Sequence, residues 1–178
     1  MKTISTQISS ALFATALAFG TSTAFSQASA PSDAQIAGIV VVANTVDIDA
    51  GKLAEKKSSN KEVKAFAKQM VTDHTGVNKQ ASALVKKLKV TPEDSDTSKS
   101  LKEGGDANLA KLKGLKGKEF DKAYVDNEVT YHQAVIDALD KTLIPNAKNA
   151  ELKDTLVKVR PAFVAHLEHA RHLQSSMK

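Results

Sequence analysis

Five ionisable side chains occupy inward positions in four apolar helical patterns of this sequence: Asp47, His74, Glu128, His132 and His166. Imidazole and carboxylate groups are ligands that Zn, Fe, Mn and Cu accept. An isolated charge inside a protein costs on the order of several kcal/mol, so these groups must be paired, neutral or bound to a cation. The pattern therefore predicts either a site for one divalent transition metal ion or a buried layer of hydrogen-bonded side chains.

The spacing of the apolar residues indicates which way these side chains face. Residues of each pattern follow one another at steps of four and three, which is the spacing of a heptad seam. The seam of the second segment consists of Val63, Ala67, Met70, His74, Val77, Ala81, Leu84 and Leu88. That of the last segment consists of Leu152, Leu156, Val159, Phe163, His166, Ala170, Leu173 and Met177. Because both histidines stand in the seam, both are predicted to face the core.

Local signals place four long helices on the chain. Ser32 with Gln35, and Ser59 with Glu62, have the spacing of capping boxes at the starts of the first two helices. The predicted ranges are 32–57, 59–89, 117–143 and 149–177, with the segment IPNAKN as the loop before the last helix. Pro161 lies inside the last helix and is expected to kink it.

A further helical segment, 98–115, lies between the second and third long helices. Gly104 and Gly105 interrupt it, so a short or broken helix is predicted there. No strand pattern is present. The sequence therefore predicts an all-α fold, an antiparallel four-helix bundle with this additional helix.

The bundle predicts that the polar side chains meet. Asp47, His74, His132 and His166 lie about 14 to 17 residues into their helices, or about 21 to 26 Å at about 1.5 Å per residue. Midpoints of antiparallel helices coincide, so these four side chains are expected to form one central layer. Glu128 lies one turn from His132 on the same face.

Other polar residues have weaker assignments. Asp73 lies beside the seam, where it orients a neighbouring histidine or meets a lysine. His169 and His172 follow His166 at steps of three, which rotate out of the seam, so both are expected to be mostly solvated. Asp121 stands near a helix start, where the helix dipole alone accounts for an acid.

Three functions remain open for the layer and the chain. The layer is either a metal site in a non-enzymatic protein or a buried hydrogen-bonded network that fixes helix register. A redox-active metal acting on a small oxidant is the enzymatic alternative, with Asp47 and the three seam histidines as ligands. A di-metal carboxylate centre is disfavoured, because it requires Glu-x-x-His twice and the residues three before the histidines are Val71, Val129 and Phe163. No motif for nucleophilic catalysis or phosphate binding is present.

The amino terminus is typical of a secretory signal peptide. Lys2, an apolar stretch and a small-residue tail predict a signal over residues 1–28, with cleavage after Ala28 or alternatively after Ala30. Residues 31–178 are then one exported, periplasmic domain of about 150 residues. The sequence has no cysteine, which excludes disulfides and thiol chemistry.

The charge distribution bears on partners. The chain carries a formal charge of +5, and ten lysines against seven acids lie between Lys86 and Lys122. This basic segment is either a solvated bundle end or a contact for an anionic membrane or envelope surface. Nucleic acid is not a predicted partner, because the chain is predicted to be exported and has no Trp, only two Tyr and six Phe.

Three blocks carry a resemblance to a known family: GKLAEKKSSNKEVKAFAKQMVTDHTGVN, KEFDKAYVDNEVTYHQAVI and RPAFVAHLEHARHL. Together they resemble the bacterial family called domain of unknown function 4142, over about residues 33–177. The resemblance implies an exported, ferritin-like helical bundle without an established activity. The positions that match the family pattern are Asp73-His74, Phe120-Asp121, His132, Pro161 and His166. Asp47 stands where the family usually has glutamate, which is one methylene longer.

Overall fold

The computed structural model describes residues 30–177, so the predicted signal peptide lies outside the described residues. The elements in chain order are α1 (Asp33–Lys57), α2 (Lys61–Leu88), α3 (Asp96–Gly114), α4 (Gly117–Ala138), a π-helical turn (Leu139–Leu143), α5 (Ile144–Asn146) and α6 (Ala150–Ser176). No strand occurs over this range. None of these helices has the length and apolar character needed to cross a membrane.

Helices α1, α2, α4 and α6 form the predicted bundle, in which neighbouring helices are antiparallel. Ile36 at the start of α1 shares an apolar cluster with Ile136 near the end of α4. Ala54 near the end of α1 shares a second cluster with Phe120 at the start of α4. These pairings require that α1 and α4 run in opposite directions. The all-α class and the ferritin-like antiparallel bundle are therefore confirmed.

Helix α3 differs from the sequence prediction. It is continuous through Gly104 and Gly105, so the predicted break is wrong. A Cβ atom on Gly105 would lie 2.7 Å from a methyl carbon of Val46, whereas one on Gly104 would meet open space. The absence of a side chain at Gly105 thus serves close packing of α3 on α1, not a turn.

Helix α3 also carries the chain back along the bundle. The amide of Glu93, just before α3, donates to the Ala34 carbonyl at the start of α1. At the other end, Lys57 Nζ donates to the carbonyls of Leu112 and Lys113 at 3.1 and 2.7 Å. This helix is therefore the long crossover found in ferritin-like bundles, and it allows α2 and α4 to run in the same direction.

The helix caps agree with the prediction in one case and not in the other. The capping box of Ser32 and Gln35 is present at the start of α1. The predicted box at Ser59 is wrong, because Asn60 is the N-cap of α2 and its side chain accepts from the amides of Glu62 and Val63. Asparagine is as good an N-cap as serine, so the helix begins one residue later without loss of a cap.

The predicted IPNAKN loop is shorter than expected. The chain passes from α4 through the π-helical turn into α5, so Ile144–Asn146 is helical. Pro145 is the second residue of α5, where its fixed φ of about −65° is compatible with the helix. Helix α6 continues through Pro161.

The apolar core consists of two clusters with the polar layer between them. One cluster includes Met70, Val125 and Ala170. The other includes Ile136 and Phe163. Along α4 and α6 the polar seam residues lie between members of the two clusters, so apolar side chains cover the layer from both ends of the bundle.

Candidate metal centre

The structure brings all five predicted side chains of the layer together at mid-bundle. They are Asp47, His74, Glu128, His132 and His166, and none is more than 3% exposed. The three imidazole centroids lie 5.2 to 5.5 Å from one another. The possible ligand atoms of the three histidines lie within 4.8 Å of one another, as do those of Asp47, Glu128 and His132.

Asp47 occupies the centre of this layer. Its Oδ2 lies 3.2 Å from His74 Nε2 and 3.5 Å from His132 Nε2. Neither carboxyl oxygen of Asp47 has a hydrogen-bond partner among residues 30–177. One oxygen of the acid therefore faces two imidazole nitrogens from different helices.

The ring of His74 is oriented by Asn44, a contact that the sequence pattern did not predict. The Asn44 amide nitrogen donates to the Val40 carbonyl at 2.7 Å, which turns Oδ1 toward His74. His74 Nδ1 donates to this Oδ1 at 2.7 Å, so in a neutral ring Nε2 carries the lone pair. The available signal was position, because Asn44 lies one turn before Asp47 on the same face of α1.

The ring of His132 is oriented by the backbone of its own helix. His132 Nδ1 lies 3.0 Å from the carbonyl oxygen of Glu128. A carbonyl only accepts, so Nδ1 carries the hydrogen and Nε2 carries the lone pair. The side-chain Oε2 of Glu128 lies 3.4 Å from the same Nδ1. Glu128 thus approaches the ring from the side away from Asp47.

The ring of His166 is hydrogen-bonded to Asp73, for which the sequence left open a contact with a histidine or with a lysine. His166 Nε2 donates to Asp73 Oδ2 at 2.9 Å. The other nitrogen, Nδ1, is buried and has no partner in the described part of the chain. Each of the three rings therefore has one nitrogen held by a hydrogen bond and one free lone pair in the interior.

Burial shifts every ionisable group of the layer toward its neutral form. It raises the pKa of Asp47 from 3.8 to about 8. Burial, together with the nearby Asp47, raises the pKa of Glu128 well above its usual range. Burial and the neighbouring imidazoles lower the pKa of His74 to about 2 and that of His132 to about 4. At neutral pH the rings are uncharged and available as ligands, while Asp47 retains its proton if no cation is present.

The remaining polar candidates lie outside the layer. His169 is half-buried and packs edge-on against Phe66, with ring centroids 5.0 Å apart. His172 is exposed. Asp121 is buried near the start of α4, at the end of the bundle that holds Phe120. The structure does not bring these three residues to the central histidines.

Comparisons with known proteins place the chain in a family and a fold. Residues 18–173 match the family described as "Domain of unknown function (DUF4142)". No protein with a curated function matches the sequence. A DUF305 protein from Streptomyces coelicolor matches the structure with a TM-score of 0.67 and 14% identity, covering 82% of this chain and 93% of that one. CopM in the Cu(II)-bound form matches with a TM-score of 0.67 and 13% identity, covering 84% and 100%. At such identities the similarity shows the shared fold alone.

Proposed function

We propose that this chain, which belongs to the DUF4142 family, is an exported protein that binds one divalent transition metal ion at mid-bundle. The family description assigns no activity, so the proposal is based on the polar layer. The observation that carries this proposal is the set of three inward lone pairs. They belong to His74 Nε2, His132 Nε2 and His166 Nδ1, and each is buried without a donor within the described range.

The spacing of the ligand atoms supports coordination. Metal–nitrogen and metal–oxygen bonds of about 2.0 to 2.1 Å in a tetrahedron place ligand atoms about 3.3 to 3.4 Å apart. The distances from Asp47 Oδ2 to the two Nε2 atoms, 3.2 and 3.5 Å, lie on either side of this value. The longer contact is outside ordinary hydrogen-bond length, yet it suits an edge of a coordination shell.

The donor set limits the metal. Three imidazoles and one carboxylate suit Zn, Fe, Mn or Cu, and no thiolate is present to favour Cu(I). Copper belongs in any test, because CopM, a protein of the same fold, has been solved in a Cu(II)-bound form. Asn44, the Glu128 carbonyl and Asp73 would hold the three rings in place, as hydrogen bonds to the second nitrogen do in metal sites.

The purely structural alternative explains less of the geometry. Buried polar networks generally pair each acceptor with a donor. Here the three lone pairs and the Asp47 oxygens form no hydrogen bond among residues 30–177, and the protons of Asp47 and Glu128 could satisfy at most two of the three lone pairs. The redox-enzyme alternative requires an open coordination position and access for substrate, and the ligand side chains are buried. We therefore favour binding over catalysis.

The first experiment is metal analysis of tag-free mature protein, purified from its native compartment without chelator, by plasma mass spectrometry. We expect one equivalent of Zn, Fe, Mn or Cu, lost in His74→Leu and retained in His172→Leu, which changes an exposed histidine. Circular dichroism establishes that both variants are folded. If folded wild-type protein contains no metal and takes up none of the four ions in titration calorimetry, the proposal is wrong.

A second role is proposed for the basic segment 86–122, independently of the layer. Its excess of lysines favours contact with an anionic envelope surface. Cosedimentation with vesicles that contain anionic lipid should then decrease as salt increases. Absence of binding at low salt would contradict this role.

A further inference from the structure

A cavity of about 190 Å³ lies beside the polar layer, on the side of the apolar cluster formed by the start of α1 and the end of α4. Side chains of α1, α2, α3, α4, the π-helical turn and α6 line it. Protein interiors rarely contain voids larger than a water molecule, because unfilled space forfeits packing contacts. Unfilled space that extends to the polar layer therefore leaves the side chains that line it without packing partners on one side.

The inner wall of the cavity is shared with the layer. Asn44 lines the cavity, and the same side chain accepts the hydrogen bond from His74 Nδ1. Phe163 also lines it, and its ring centroid lies 5.2 Å from that of His74 and 6.2 Å from that of His132. A molecule in the cavity would contact two of the side chains that pack directly on the histidines.

The outer end of the cavity reaches the surface. Thr97 at the start of α3 and Thr142 in the π-helical turn both line the cavity and are exposed. Leu101 and Tyr131 line this cavity and also a wider groove of about 620 Å³ between α3 and α4. The crossover helix α3 therefore borders an entry route from solvent.

The lining determines what can bind. No charged side chain lines the cavity, so an ion would lose its hydration without compensation. The hydroxyl of Tyr131 already donates to the Ala43 carbonyl at 2.8 Å. An enclosed apolar cavity of about 150 Å³ binds benzene or xenon, so the volume here is sufficient for a molecule of that size. The π-helical turn contributes Leu139 and Leu143 to the wall, and such turns are frequent at functional sites.

We propose that this cavity binds one small uncharged apolar molecule of about the size of benzene, which enters from the groove between α3 and α4 and rests against Asn44 and Phe163. The proposal does not require a metal in the layer. It assigns to the protein a second ligand, in contact with Asn44 and Phe163, which pack against the histidines.

The test is titration of the metal-free full-length mature protein with benzene, followed by amide resonances in two-dimensional NMR. We expect saturable shifts centred on Asn44 and Phe163. Ala138→Leu, which fills the cavity, should weaken binding at least tenfold, whereas Ala165→Leu at an exposed position of α6 should not. Val159→Phe replaces Ala138→Leu if the latter fails to fold.

Two results would overturn the proposal. One is the absence of saturable shifts in folded wild-type protein. The other is equal benzene affinity in wild type and in a folded cavity-filling variant. Because the titration uses metal-free protein, either result leaves the metal proposal unaffected, and a failure to bind metal leaves the cavity proposal unaffected.

Discussion

Replacement of Asp47 by asparagine is expected to stabilise the metal-free protein and to weaken its metal binding. Asp47 is 1% exposed, and burial raises its pKa from 3.8 to about 8. At pH 7 the unfolded chain has lost this proton, so folding must restore it. At about 1.4 kcal/mol per unit of pKa difference, this costs about 4 kcal/mol at pH 7. Asp47→Asn introduces a side chain that is neutral in both states and removes this cost.

The geometry around Asp47 also favours greater stability and weaker metal binding in the asparagine variant. The amide group of the variant carries two N–H donors. The Nε2 atoms of His74 and His132 lie 3.2 and 3.5 Å from Asp47 Oδ2 and form no hydrogen bond within residues 30–177, and the single proton of Asp47 could serve only one of them. An amide nitrogen at this position would face both. A metal ligand, by contrast, must offer a lone pair and preferably a negative charge, which this nitrogen does not.

The raised pKa of Asp47 determines how the free energy of unfolding changes with pH. The folded-state pKa of Asp47 is raised, so its contribution to stability decreases as pH rises from about 3.8 to about 8. The pKa values of His74 and His132 are lowered by burial, so these rings give a slope of opposite sign that fades above their unfolded pKa of 6.5; wild type and variant share these histidines, so their slope cancels in the comparison. Between pH 6.5 and 8, Asp47 should therefore reduce wild-type stability by about 2 kcal/mol. Glu128 adds a slope in the same direction: the part caused by burial remains in the variant, and the smaller part caused by the Asp47 charge is lost, which reduces the slope of the variant further in the expected direction.

The assay is urea unfolding with chelator at several pH values from 6.5 to 8, for wild type, Asp47→Asn and Asp49→Asn. Asp49 is the matched control, since its side chain is 48% exposed on the same helix. We expect the stability of wild type and control to fall more steeply with pH than that of Asp47→Asn. If Asp47→Asn has the wild-type slope, or is less stable than wild type at pH 8, then Asp47 is not a buried acid that retains its proton.

Three further predictions follow from the same structure. Metal affinity should increase about tenfold per pH unit up to about pH 8, because the ion displaces the proton of Asp47. Calorimetry in buffers of different ionisation enthalpy would measure the proton released. A pH-independent affinity would contradict this prediction. Asn44→Leu should lower metal affinity about 10- to 100-fold by releasing the His74 ring, which competition with a chromophoric chelator can measure. Gly105→Ala should destabilise the fold by about 1 to 3 kcal/mol, because the added methyl group clashes with Val46 of α1. Gly104→Ala should stabilise it by up to about 1 kcal/mol, because alanine has the higher helix propensity and meets open space there. Thermal unfolding of the two variants tests both predictions.

Heptad spacing was sufficient to predict the bundle and the members of its polar layer. The spacing determines which face of a helix is apolar, so it also identifies the polar residues on that face, such as His74 and His166. Their depth followed from helix length alone, because antiparallel helices of similar length align at their midpoints. Both inferences depend on local periodicity and not on details of packing, and the structure agrees with both.

Features decided by contacts between distant segments could not be predicted in this way. A Gly-Gly pair is equally compatible with a break and with close helix packing, and Val46 on another helix decides between them. The apolar pattern does not identify Asn44, because asparagine is usually exposed and its role depends on the position of the His74 ring on another helix. The π-helical turn at Leu139–Leu143 inserts one extra residue per turn, which no repeat in the apolar pattern indicates.

The ligand composition of the layer distinguishes a single-ion site from the other arrangements that this fold supports. Hydrogen bonds assign a lone pair to one nitrogen of each of His74, His132 and His166. Among residues 30–177 the acids at the centre are Asp47 and Glu128, which can supply at most two protons to these three acceptors. One divalent cation can accept the lone pairs of all three nitrogens, and its charge also permits ionisation of Asp47. A di-metal centre would need more carboxylates than these two, so the excess of nitrogen over oxygen ligands favours one ion.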